Sequence, residues 1–163
     1  MKSPSELSIV VRPGAPIRRP SRATLAKAEL PDLPARFMEK ETAKTGEARI
    51  FVRGLMIEAE VGVYSHEKGA RRPLVVDIDV WIVAPQRFNS DELAETVDYD
   101  SLVAHARAVV ADAHIHLIET IAERIADRCL NDARVVRARI KIEKPGAVLG
   151  AACSGVEVER ART

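Results

Sequence analysis

Val136-Arg137-Ala138-Arg139-Ile140-Lys141-Ile142-Glu143-Lys144-Pro145-Gly146 is the stretch from which the fold is read. Val136, Ala138, Ile140 and Ile142 fall on one side of an extended chain, and Arg137, Arg139, Lys141 and Glu143 on the other. Strand side chains alternate with a period of two, so the spacing predicts a half-buried strand. The next place on the apolar side belongs to Lys144. Pro145 and Gly146 then end the pairing, because proline has no N–H to donate. A lysine thus points inward at a strand end, beside a break that can open a pocket. Taken alone, such a lysine also suits a side chain that snorkels to water. A second strand, Gly155 to Arg160, follows a loop of small residues from Ala147 to Ser154.

Working outward, Leu74, Val76, Ile78, Val80 and Ile82 alternate with Val75, Asp77, Asp79 and Trp81, the clearest strand in the chain. Ile50 to Val52 and Ile57 to Val63 are strand segments on either side of Gly54, which marks a bulge or a close backbone approach. Ser65 to Arg72 reads as a polar turn or short helical loop. Asp98 is placed to cap a helix whose inner face carries Leu102, Ala106, Val109, Val110 and Ala113. A second helix carries Leu117, Ile118, Ile121, Ala122, Ile125, Ala126, Cys129 and Leu130 at helical spacing. The order is strand, strand, strand, helix, helix, strand, strand, with short connections. Strands adjacent in sequence pair antiparallel, which predicts an α+β fold with both helices on one face of the sheet. The other face, with Val75, Asp77, Asp79, Trp81, Arg137, Arg139 and Lys141, is mixed and suits water or a subunit contact.

The chain of 163 residues balances 25 basic against 24 acidic side chains, which gives no reason to expect a nucleic-acid or membrane surface. Its apolar runs are too short for a transmembrane helix or a signal-peptide core. Cys129 and Cys153 have no metal-type spacing and suit free thiols in a reducing cytoplasm. Residues 1–47 hold Pro4, Pro13, Pro16, Pro20, Pro31 and Pro34 without sustained periodicity, and read as a disordered or loosely attached extension. The stretch from Val10 to Lys27 is Arg-rich and free of acids, as transit peptides can be, but a plain flexible tail is the simpler reading. The folded domain is expected over residues 48–163.

Four segments, in order, then resemble one family. They are Val61-Gly62-Val63-Tyr64-Ser65-His66-Glu67, Thr96-Val97-Asp98-Tyr99, Leu117-Ile118-Glu119 ahead of Ala122-Glu123-Arg124, and Lys144-Pro145-Gly146-Ala147 before Gly155-Val156-Glu157-Val158. Together they are similar to the dihydroneopterin aldolases, folate-pathway enzymes of the tunnelling fold. The resemblance spans about Arg49 to Arg160. It implies a four-stranded antiparallel sheet with two helices on one face, oligomerising into a barrel as a homo-oligomer, tetramer or octamer. It further implies Lys144, Glu67 and Tyr99 as catalytic residues, and Glu119, Val97 and Ile118 as substrate-binding residues. The substrate would be a small-molecule pterin, 7,8-dihydroneopterin, cleaved without metal or other cofactor, with possible 2'-epimerase activity. Sites would lie at subunit interfaces, so that Tyr99 serves a neighbour's pocket.

The residue types suit these roles. Glu119 falls in the first turn of its helix, where free N–H groups and the dipole favour a carboxylate, although ordinary capping would place an acid there too. A carboxylate can accept two hydrogen bonds from the amino group and ring N–H of a pterin. Taken alone, Glu67 reads as a solvated loop acid, and Tyr99 as a half-buried residue at a helix start. Related folds use zinc, but His114 and His116 point apart, and His66 and His105 supply no tight third ligand, so no metal is expected. Ser65-His66 stands where the family often has an acidic and an aromatic residue, which alters stacking near the loop. The competing functions are a dihydroneopterin triphosphate 2'-epimerase and a non-catalytic pterin-binding paralogue. No nucleic acid and no membrane partner is expected, and the cytoplasm is the expected location.

Overall fold

The computed structural model describes residues 46–83, 88–111 and 114–163. The extension expected over residues 1–47 lies almost wholly outside them, as does Ala113 of the first helix. Among the described residues the chain forms strands β1 (Glu47–Ala59) and β2 (Arg72–Val83), helices α1 (Tyr99–Val109) and α2 (Ile118–Leu130), then strands β3 (Val135–Pro145) and β4 (Cys153–Ala161). The sheet order is β1-β2-β3-β4, antiparallel throughout. The α+β expectation therefore holds, with one refinement. The two strand segments flanking Gly54 are a single strand.

A bulge joins them. Val52 pairs with Ile78 and Leu55 with Val76, so Arg53 and Gly54 together face the single residue Asp77. Gly54 takes a φ of 62°, and its N–H donates to Asp77 Oδ1 at 2.6 Å. The extra residue inverts the alternation. Before the bulge Ala48, Ile50 and Val52 face the helices; after it Leu55, Ile57 and Ala59 do.

A second irregularity corrects the reading of β3. Trp81 pairs with Arg137 but Ile82 pairs with Val135, which leaves Val136 as the extra residue. Val135, not Val136, is the fully buried member at that end. From Ala138 the expected alternation stands: Ala138, Ile140 and Ile142 are buried, and Lys144 continues their side of the strand. Pairing also runs further than expected, to Pro145 against Cys153.

Helix α2 lies over β3 and β4, and α1 packs on β1 and α2. Leu102 and Ala106 from α1, with Ile121, Ala122, Ile125, Ala126 and Cys129 from α2, close the core against Leu74, Val76, Ile78 and Val80. Burying one such aliphatic side chain contributes about 2 kcal/mol. The caps agree with the sequence: Asp98 Oδ1 accepts from the Asp100 N–H at 2.9 Å, worth about 1 kcal/mol.

The opposite face of the sheet is more than a wetted surface. Arg49 donates to Asp79 at 2.5 Å, Arg53 at 2.7 Å and Arg139 at 3.5 Å, and Asp79 is only 3% exposed. Trp81 has no exposed surface, because the Arg137 guanidinium sits 3.7 Å from its ring centre, with Arg49 and Arg139 near it. Guanidinium planes cover the indole as apolar side chains would, and gain cation–π attraction as well.

Candidate active site

The segment after β1 is pinned before it reaches Glu67. Val61 forms a parallel bridge with Ile115: Gly62 N–H donates to Ile115 O at 3.1 Å and Ile115 N–H to Glu60 O at 3.0 Å. His114 Nε2 lies 2.8 Å from Gly62 O. The carbonyl can only accept, so Nε2 carries the proton. Gly62 has a φ of 145°, and a Cβ there would lie 2.1 Å from Glu67 Oε2. Only glycine allows the carboxylate to fold back against this backbone. A 3-10 turn, Ser65–Glu67, then carries Glu67 inward until it is 9% exposed.

Strand β3 brings the cation. Lys144 Nζ donates to Glu67 Oε1 at 2.5 Å and to Val61 O at 3.3 Å. The Tyr64 N–H donates to the other carboxylate oxygen, Oε2, at 3.1 Å. The Lys144 hydrogen bond, helped by the Tyr64 N–H, holds the Glu67 carboxyl down at about 2, against the upward push of burial. Glu67 is thus a carboxylate across the neutral range. Lys144 and Glu67 both face a cleft of about 230 Å³. Such a pair can orient a water or a diol while keeping a donor and an acceptor in fixed places.

Four of the expected site residues share this cleft. Glu67 and Lys144 form its floor, and Ile118 and Glu119 come from the start of α2. Glu119 is exposed and lies in the first turn of α2, as its place in the sequence predicts. Tyr99 and Val97 are not among the lining residues. Tyr99 begins α1 and is 62% exposed, while Val97 is 2% exposed and packed in the core. The buried Val97 side chain anchors its segment to the core.

Sequence reasoning considered His114 and His116 only as metal ligands. His116 lines the cleft, and its ring meets that of His114 edge-on at 5.2 Å. Gly62 was visible only as part of a motif, and its contact with Glu67 needs the fold. His66 stacks on Tyr64 with ring centres 5.7 Å apart, which places the substituted loop residue against its own neighbour.

With this geometry the comparison with known proteins is direct. Residues 50–160 match the family model of dihydroneopterin aldolase. The chain belongs to the dihydroneopterin aldolase family. The dihydroneopterin aldolase of Escherichia coli is 32% identical over 111 residues, covering 68% of this chain and 91% of that one. Dihydroneopterin aldolase 2 of Arabidopsis thaliana is 32% identical over 113 residues, covering 69% and 86%. Among solved structures, E. coli dihydroneopterin aldolase in complex with neopterin superposes with a TM-score of 0.64 at 32% identity, covering 70% of this chain and 99% of that one. The Burkholderia thailandensis enzyme bound to guanine gives 0.63 at 28% identity, covering 73% and 94%. Membership places the α+β unit described above among the dihydroneopterin aldolase structures. Among the described residues no helix is long and apolar enough to cross a membrane.

Proposed function

We propose that this chain is a 7,8-dihydroneopterin aldolase, a carbon–carbon lyase yielding 6-hydroxymethyl-7,8-dihydropterin and glycolaldehyde in tetrahydrofolate biosynthesis. The observation that carries the reading is the Lys144–Glu67 pair at 2.5 Å on the floor of a cleft rimmed by Glu119, in a chain of this family. The neopterin complex of the E. coli relative supports a pterin as the ligand class.

In this reading Glu119 accepts hydrogen bonds from the pterin amino group and ring N–H, and Ile118 borders the ring. Lys144 and Glu67 hold a water and the substrate hydroxyls. The 2'-hydroxyl loses its proton, the bond between C1' and C2' breaks, and glycolaldehyde leaves. The electron pair enters the C=N of the dihydropterin ring, giving an enol that is then protonated at C1'. The ring is itself the electron sink, so the scheme calls on no Schiff base. Lys144 stabilises the charge that develops, and Tyr99, delivered by a neighbouring copy, relays the proton. Cleavage and re-addition share the enol, so 2'-epimerisation accompanies cleavage. The protein works as a homo-oligomer, tetramer or octamer, in the cytoplasm; its free Cys129 and Cys153 suit that compartment.

The test is turnover of 7,8-dihydroneopterin in the presence of EDTA, with products followed by chromatography. Glycolaldehyde and 6-hydroxymethyl-dihydropterin should form, and Lys144→Ala should abolish them. Formation of the 2' epimer alone would replace the aldolase by the epimerase, to be assayed on the triphosphate. Binding without turnover, with zinc restored, would make the chain a non-catalytic pterin binder.

A further inference from the structure

The segment that leads into Tyr99 has little of its own to hold it. Leu93 is 62% exposed, and Glu92 and Ala94 are exposed too, so apolar burial begins only at Val97. A short 3-10 turn, Leu93–Glu95, adds Thr96 N–H to Leu93 O at 3.2 Å. What fixes this segment comes from the turn between α2 and β3. Arg134 Nη1 donates to Ala94 O at 3.2 Å and also to Thr96 O. The guanidinium is held by a two-point fork on Asp132, Nε to Oδ1 at 3.0 Å and Nη2 to Oδ2 at 2.7 Å. Asp132 is held in turn, since its Oδ1 also accepts from the Arg134 N–H at 3.0 Å and its carbonyl from Arg162 at 2.9 Å.

We propose that Arg134, oriented by Asp132, is a positioning residue for Tyr99: it locks the Ala94–Thr96 carbonyls, and with them the start of α1, at the angle that delivers Tyr99 to the cleft of a second copy of the chain. The inference rests on the aldolase reading with a shared site. Three constraints meet on the few residues before Tyr99: the Arg134 clamp at Thr96, the buried Val97, and the Asp98 cap. The tyrosine they hold is itself 62% exposed and is not among the residues lining the Lys144 cleft of its own chain. A surface arginine gives up side-chain freedom when its fork is fixed on both sides. Here the recipient of that order is the approach to Tyr99. Lysine, a point charge without the planar fork, cannot hold both the carboxylate and the two carbonyls.

The experiment uses the full chain and mixed oligomers made by co-expressing differently tagged variants. Arg134→Ala should lower kcat about tenfold, since small misplacements of a catalytic group cost that much or more, with KM within about twofold. Arg134→Lys should not restore it. Lys144→Ala mixed with Tyr99→Phe is the reference, and about a quarter of its sites should combine both intact residues if copies mix at random. Lys144→Ala mixed with Arg134→Ala should likewise exceed, several-fold, the mean of the two separate oligomers. If the reference pair regains activity and the Arg134 pair does not, or if Arg134→Ala keeps its kcat, the positioning role is overturned. If the reference pair itself regains nothing, the shared-site reading falls, and this inference with it. Should Arg134→Ala fail to fold, Asp132→Asn loosens the same fork and takes its place in both measurements.

Discussion

Lys144 Nζ lies 2.5 Å from Glu67 Oε1 although 77 residues separate them in the chain. Neither residue makes the site alone. The strand end supplies a cation, and the loop after β1 supplies the carboxylate that meets it. Replacing Lys144 by alanine should therefore change Glu67 as well as turnover. The Glu67 carboxyl should climb from about 2 back toward 4.5. Carboxyl ¹³C NMR titration of the variant would show this, and a Glu67 that still titrates near 2 would mean the Tyr64 N–H alone sets its acidity.

The same shift predicts how stability follows pH. The folded carboxyl titrates at about 2 and the unfolded one near 4.5, so the unfolded state binds the proton more readily. The stabilisation is fully present above about 4.5 and is lost as pH falls toward 2. Urea midpoints of the wild type and Glu67→Gln, compared from pH 7 downward, should differ by a constant amount to about pH 5 and converge below it. A gap that stayed constant down to pH 3 would refute the assignment. Glu67 should likewise contribute no inflection to the rate profile between pH 5 and 8.

Gly62 offers a steric test. A methyl group there would lie 2.1 Å from Glu67 Oε2, on backbone with a φ of 145°. Gly62→Ala should push the carboxylate out of reach of Lys144 and lower kcat at least tenfold, as displacement of a positioned catalytic group does. Gly69 is the control, with a φ of 73° and nothing within 4 Å of an added Cβ. Gly69→Ala should cost about 1 kcal/mol of stability through backbone strain alone, and leave turnover intact. Equal losses of activity from the two substitutions would remove the steric argument.

On the far side of the sheet, Asp79→Asn should destabilise the domain by about 3 kcal/mol, because the arginines gathered on it would keep their charges in a dry setting without their shared anion. Thermal unfolding measures the loss. A change under about 0.5 kcal/mol, the usual range for surface substitutions, would show that water already screens the cluster.

Much of this was legible residue by residue. Ile140, Ile142 and then Lys144 in phase place a charged group at the edge of the core from the sequence alone, because a period of two admits one side per parity. Asp98 announced the start of α1 by its chemistry. Val136 misled, since a bulge breaks the parity on which the inference depends and Val135 competes for the same place. The strand around Gly54 was divided for the same reason. Glu67 was beyond periodicity: its burial depends on a bridge between Val61 and Ile115, and on His114, 52 residues from the Gly62 carbonyl it binds. The roles of Tyr99 and Val97 came from resemblance, and one protomer separates them into an exposed side chain and a core anchor.

The bulge at Arg53 and Gly54 governs the course of the chain more than the facing of its side chains. Every residue from Leu55 to the turn that carries Glu67 inherits its direction from the bend at that one additional position. Deleting Gly54 would leave Arg53 alone opposite Asp77, so Leu55 and Ile57 would still face the helices, but the Gly54 N–H bond to Asp77 and the local bend would be lost. The loop from Ala147 to Ala152, by contrast, joins two strands at their ends and sets no orientation beyond itself. Lineages descended from such a chain should vary in length between Val148 and Ala152, while the bend at Gly54 is kept.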